Sequence, residues 1–183
     1  MKLDPNKIWG LLEERLATET DPVVRRNLEL VIAHGKAEAT LDLEGVLATL
    51  CPNPRYVAHT SPDVALVNPT TTEGVRAFYQ ATIVDTDAHR IEHDVDRVIA
   101  DRTAVYTEGV VKIAYPGRVL AARGISVDDP DAYYLYTSRM AIVWPVDPES
   151  GLLVGEESWV ERDGFHGIAE RKITLDEVEP VRV

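Results

Sequence analysis

Cysteine is almost missing from this chain: Cys51 stands alone among 183 residues. No internal disulfide can form, and the CxxC or CxxH spacing of a small zinc site is absent. That usage fits a reducing, cytoplasmic setting. The HExxH pattern is missing as well, and so are the glycine patterns of Walker and dinucleotide-binding loops, so no metal and no cofactor is expected. Nowhere do about 18 apolar residues follow one another. The opening stretch MKLDPNKIWGLLEERL becomes charged before an apolar run reaches signal-peptide length. Neither a membrane span nor an export signal is read from it. Basic residues are scarce too: 19 Lys and Arg face 31 Asp and Glu, a formal net charge of −12. Such a balance repels phosphate backbones and anionic lipid surfaces, which argues against nucleic acid and membranes as partners.

What is present suffices for one domain, because 45% of the 183 residues are hydrophobic and two domains would each be small. Asp4-Pro5 has the form of a cap followed by proline at the first helical position, and Ile8, Leu11, Leu12 and Leu16 then recur at helical spacing, which predicts a helix from Pro5 to Ala17. Asp21-Pro22 repeats the signal before the stripe Val24, Leu28, Val31, Ile32 and Ala39, so a second helix is expected to end near Thr40. Asp42 can cap a short third helix that Pro52 and Pro54 stop, and Arg55 to Thr60 reads as a strand. Thr70 and Glu73 have capping-box spacing ahead of a fourth amphipathic helix with Val75, Phe78, Tyr79 and Ile83.

From His89 onward the period changes to two. Arg90–Ala100, Thr103–Tyr115, Tyr133–Trp144 and Leu152–Arg162 read as strands, and residues 116–131 as an ordered loop or lid. Helices first and a long sheet afterwards predict an α+β fold in which N-terminal helices pack on a curved mixed or antiparallel sheet around an apolar pocket.

The candidate chemistry follows from facing. If Asp101 and Arg102 form a two-residue turn, Val95 faces Glu108 and His93 faces Val110, and His93, Val95, Tyr106 and Glu108 share one side of the sheet. Glu92, Asp94 and Asp96 occupy the other side, a solvent signature, which makes the His93 side the interior. A different local register instead places Glu108 in solvent, opposite Val105 and Val111. An interior carboxylate needs a partner, a proton or water, and a pocket offers all three. His34 and Glu38 lie four residues apart on one helical face, where the carboxylate can orient the imidazole, although an exposed helical pair has the same spacing. Glu156 and Glu157 point to opposite faces, so one of them is turned inward. Tyrosines 56, 79, 106, 133, 134 and 136 are numerous, and a phenol turned into a pocket can donate to a carbonyl or enolate oxygen.

Three stretches resemble a known group. His34-Gly35-Lys36-Ala37-Glu38, continuing through Asp42 to Leu50, is similar to a helix pair of the SnoaL-like group of the nuclear transport factor 2-like superfamily. Gly74-Val75-Arg76-Ala77-Phe78-Tyr79 and Gly155-Glu156-Glu157-Ser158-Trp159 resemble its later helix and its closing strand. The resemblance spans about Val24 to Ile173, so the domain core is expected over about 22–173 of a single domain, with residues 1–20 as an N-terminal helical extension. It implies a cone-shaped α+β barrel, often dimeric through its sheet, with a mostly apolar cavity. Members include polyketide cyclases, ketosteroid isomerases, scytalone dehydratase, epoxide hydrolases and non-catalytic binders. Trp159 stands where the group has a tyrosine, Thr40 where it often has a histidine, and the aspartate-arginine-aspartate set of limonene epoxide hydrolases is not recognisable.

The resemblance thus implies a cofactor-independent enzyme of the cyclase, isomerase or dehydratase type, acting by proton transfer on a hydrophobic carbonyl compound. His34, Glu38, Glu108 and Glu156 are the catalytic candidates, and Tyr56, Tyr79, His93, Tyr106 and Trp159 the substrate-binding ones. The alternatives are a small-molecule binder without chemistry and a homodimeric scaffold whose sheet is the working face.

Overall fold

A computed structural model describes residues 2–60 and 67–182. Helix α1 (Lys7–Thr18) buries Trp9 and Leu12. Helix α2 (Pro22–Ala39) starts as the sequence predicts, with the Asp21 side chain accepting the backbone N–H groups of Val23 and Val24. Such a cap is worth about 1 kcal/mol. Val24, Leu28, Val31 and Ile32 of its apolar stripe join the main core, and Asn27 donates to the Asp101 carbonyl at 3.0 Å, tying the helix to a turn of the sheet. Helix α3 (Leu43–Ala48) is capped by Asp42.

Strand β1 (Val57–Ala58) is shorter than the expected stretch, yet backbone N–H groups of Arg55, Val57 and His59 all bond to the segment 154–158. Helix α4 (Thr72–Tyr79) is capped one residue later than predicted, by Thr71, whose hydroxyl accepts from Gly74 N–H. It continues into a π-helical turn, Gln80–Val84.

Strands β2 (Ile91–Ala100), β3 (Ala104–Pro116), β4 (Tyr133–Pro145) and β5 (Glu157–Val160) follow, with β6 (Lys172–Ile173) last. They form an open sheet in the order β1-β5-β4-β3-β2, with β6 beside β4. Only the β1–β5 pair is parallel. Residues 116–131 are not a lid: they carry helix α5 (Gly117–Ala122), whose Leu120 is fully buried against Ala88, Tyr115, Tyr134 and Ile168.

One register expectation is overturned. Ala100 faces Val105, leaving four residues in the turn, and β2 gains an extra residue between Val95 and Arg97. A bulge of this kind reverses which side chains point inward along the rest of the strand. Arg97 therefore opposes Glu108 on the outer face, whereas His93 opposes Val111 on the helix-covered face. Gly109 sits opposite the bulge because a Cβ there would meet the Asp94 carbonyl oxygen at 2.1 Å.

The outer face is half covered by the chain ends. Leu3 N–H donates to the Glu177 carbonyl and Glu179 N–H to that of Leu3, laying both segments over Ala114, Leu135 and Ile173. This cover corrects the reading of Glu92 as a solvent residue. Glu92 is fully buried, paired with Lys112, and accepts the Asp4 N–H, while Asp94 and Asp96 keep their exposure. Among the described residues, no helix is long and apolar enough to cross a membrane.

Candidate active site

Between the helices and the inner face of the sheet lies a cavity of about 260 Å³. Ile8 and Leu12 of α1 reach it, as do Val31, Gly35 and Glu38 of α2. Phe78, Tyr79 and Ile83 close one side, and Thr107, Val111, Ile142 and Trp144 of the sheet form another. Tyr56 and His93 complete the wall with Glu156 and Ser158, so a few polar groups converge in an otherwise apolar space, the usual composition of a small-molecule site.

The four-residue interval of α2 places His34 behind the wall and Glu38 on it. His34 is fully buried. Thr49 donates its only hydroxyl hydrogen to the Val46 carbonyl at 2.6 Å, so towards His34 Nδ1, 2.8 Å away, it can only accept. The imidazole hydrogen is thereby held on Nδ1, and Nε2 is turned to the cavity side. There Nε2 lies 3.0 Å from Tyr79 Oη and 3.4 Å from Glu156 Oε1, while Tyr79 Oη lies 3.1 Å from that carboxylate. One phenolic hydrogen cannot satisfy both the imidazole lone pair and a carboxylate. Two acceptors, the imidazole nitrogen and the carboxylate, therefore compete for the one phenolic donor. Tyr56 Oη extends it, 3.3 Å from Tyr79 Oη.

The Glu38 carboxyl makes no hydrogen bond to a described residue and faces the cavity. Burial, and secondarily the charge of Glu156, push its pKa up to about 7, against the opposing pull of His34. Burial and Glu156 also raise the phenols of Tyr79 and Tyr56 well above their usual range, which keeps both protonated as donors. His93 is moved the other way, to about 4, chiefly by burial.

Of the residues singled out from sequence, the fold brings together His34, Glu38, Tyr56, Tyr79, His93 and Glu156. It also decides the adjacent pair: Glu156 faces the cavity and Glu157 pairs with Arg55 at 2.8 Å on the other side. Three candidates lie elsewhere. Glu108 and Tyr106 are on the outer face, where Tyr106 donates to Glu108 at 2.9 Å and Arg139 holds both Glu108 and Asp96. These bonds, that of Tyr106 first, hold the Glu108 carboxyl below its usual pKa. Trp159 shares that face and stacks on His59 at 4.3 Å. The indole that does line the cavity is Trp144, its Nε1 donating to Thr107 at 3.0 Å. Sequence reasoning missed it, although it lies an even number of residues from Ile142 and Met140, which also point inward. Among the described residues, no group of three or more His, Cys, Asp or Glu is placed to hold a metal ion.

No family model matches the sequence, and no curated protein does either. Solved structures do match in fold. A protein from Shewanella denitrificans OS-217 assigned as a SnoaL-like polyketide cyclase is 12% identical, with a TM-score of 0.63 over 79% of this chain and 96% of its own. TerC, co-crystallised with polyporic acid, is 16% identical, with a TM-score of 0.58 over 79% and 98%. An NTF2-like protein of unknown function from Burkholderia pseudomallei K96243 is 16% identical, with a TM-score of 0.57 over 81% and 98%. The fold is therefore that of the SnoaL-like and nuclear transport factor 2-like proteins, as the three sequence stretches imply.

Proposed function

We propose that the chain is an enzyme that moves a proton at a carbon next to the carbonyl of a small hydrophobic molecule, in the manner of a cyclase, isomerase or dehydratase and without a cofactor. The observation that carries this reading is the Glu38 carboxyl, set on an apolar cavity wall without a hydrogen bond to another described side chain and held at a pKa of about 7. A group that titrates near neutrality is suited both to take and to return a proton. Tyr56 donates to the enolate oxygen as charge develops there, and the His34–Tyr79–Glu156 cluster supplies or stores the second proton. TerC, a protein of the same fold, was co-crystallised with polyporic acid, which supports the small-molecule part of the reading. Two copies are proposed to pair through the uncovered part of the outer face, where Ile99 is 61% and Trp159 39% exposed.

The test is a thermal-shift screen of hydrophobic carbonyl compounds, with turnover followed by mass spectrometry. Glu38→Gln is expected to bind the same compounds as wild type and to lose about a hundredfold or more of the turnover. Stabilisation of wild type without any product would make the protein a binding module instead.

A further inference from the structure

Among the described residues, two buried side-chain atoms lack a hydrogen-bond partner: Nδ1 of His89 and Nε2 of His93. The first lies outside the cavity, 3.3 Å from an Asp87 carboxylate oxygen. The second belongs to the cavity wall, on a side chain only 5% exposed. Buried polar atoms are nearly always paired, so an acceptor left bare on the wall of a cavity points to what fills that cavity.

The chemistry of the missing partner follows from the ring itself. His93 donates to the Met140 carbonyl, and because Nε2 is unpartnered the donor is Nδ1. The neutral ring therefore presents a lone pair at Nε2. Burial disfavours the imidazolium so strongly that the ring is uncharged throughout the neutral range. Around it the wall is aliphatic, with Ile91 beside it on the strand and Val111 opposite. Beside this neutral ring and its aliphatic neighbours a charged ammonium donor would lose its hydration, whereas a neutral O–H loses little. Glu156 lines the same cavity of about 260 Å³ as His93, so one small molecule filling it meets both.

We propose that Nε2 of His93 accepts a hydrogen bond from a hydroxyl group of the bound molecule, so that the substrate is a hydroxylated carbonyl compound and not a plain hydrophobic ketone. The carbonyl half of this statement rests on the proton-transfer reading; the hydroxyl half rests on His93 alone. The cavity falls just below the roughly 300–1,000 Å³ common for drug-sized ligands, which limits the skeleton to one or two rings.

The experiment is a calorimetric titration of wild type, His93→Leu and His93→Gln with ring-hydroxylated α-tetralones, each paired with its methyl ether. The ether keeps the skeleton and loses the donor. At least one hydroxy compound is expected to bind wild type about tenfold or more tighter than its ether. That ratio should fall to about one in His93→Leu and return in part in His93→Gln, which restores an acceptor. Thermal unfolding of each variant accompanies the titrations, and His93→Leu, which removes an unsatisfied atom, is expected to fold. A ratio near one for every pair in wild type overturns the proposal, as does a ratio that survives in His93→Leu or a series in which nothing binds. Because the readout is binding, wild-type turnover in Glu38→Gln would remove the catalytic reading and leave the hydroxyl preference intact.

Discussion

At the scale of the residue, Glu38 makes folding depend on pH in a defined direction. Its pKa is about 7 in the folded protein against a reference of 4.5, so the folded state keeps a proton that the unfolded chain has already released. The stability this provides is fully present below about pH 4.5 and is lost as the pH rises through about 7. Glu38→Gln carries no such proton. By urea unfolding the variant should exceed wild type by on the order of 2 kcal/mol at about pH 8 and match it at about pH 4.5. An equal difference at both pH values would mean that Glu38 is ordinary. The His34–Glu38 interval was legible in the sequence because helical spacing alone puts the two side chains on one face. What they face was not legible: the bond from His34 to Tyr79 joins residues that only the packing of α4 on α2 brings together. Trp159 was misplaced for a similar reason, since the glycine-glutamate-tryptophan pattern says which residues end the sheet but not which side each one takes.

Among the elements, the bulge in β2 decides which carboxylates belong to the cavity. Without the extra residue between Val95 and Arg97, Glu108 and Tyr106 would lie on the same side as His93, and the simple alternation of the sequence leads to that arrangement. The signal that reveals the bulge is Gly109, a glycine in the middle of a 13-residue strand. A methyl group there would meet the Asp94 carbonyl oxygen at 2.1 Å and Val95 Cα at 2.7 Å, both backbone atoms that cannot step aside as a side chain would. Gly109→Ala is therefore expected to destabilise the protein by about 2–4 kcal/mol. The check is thermal unfolding, and a wild-type melting temperature in the variant would mean that the strands do not approach this closely. The caps belong to the same scale. Asp21 and Asp42 were readable because a carboxylate before a helix needs only its own local backbone, whereas Thr71 displaced Thr70 by one residue for want of any tertiary cue.

For the whole molecule, the change of period at His89 was enough to forecast helices followed by a sheet, but not the order of the strands. The parallel pairing of β1 with β5 joins segments from opposite halves of the chain, and the Leu3–Val178 bridge joins its two ends. Contacts of that range leave no periodic trace, which is why Glu92 reads as a surface residue and is in fact covered. The same chain ends leave half of the outer face bare around Ile99 and Trp159. Wild type is accordingly expected to sediment as a dimer and Ile99→Asp as a monomer; a monomeric wild type would remove the dimer from the reading. A last consequence concerns the buried His34. With a molecule filling the cavity, the fully buried imidazole meets solvent only by way of Glu156, whose side chain is 19% exposed, so a hydron that Glu38 takes from the substrate is handed back at least in part. A substrate deuterated at the abstracted position should then yield product that retains part of the isotope. Complete wash-out, read in the product's mass, would show that water reaches the cluster during every turnover.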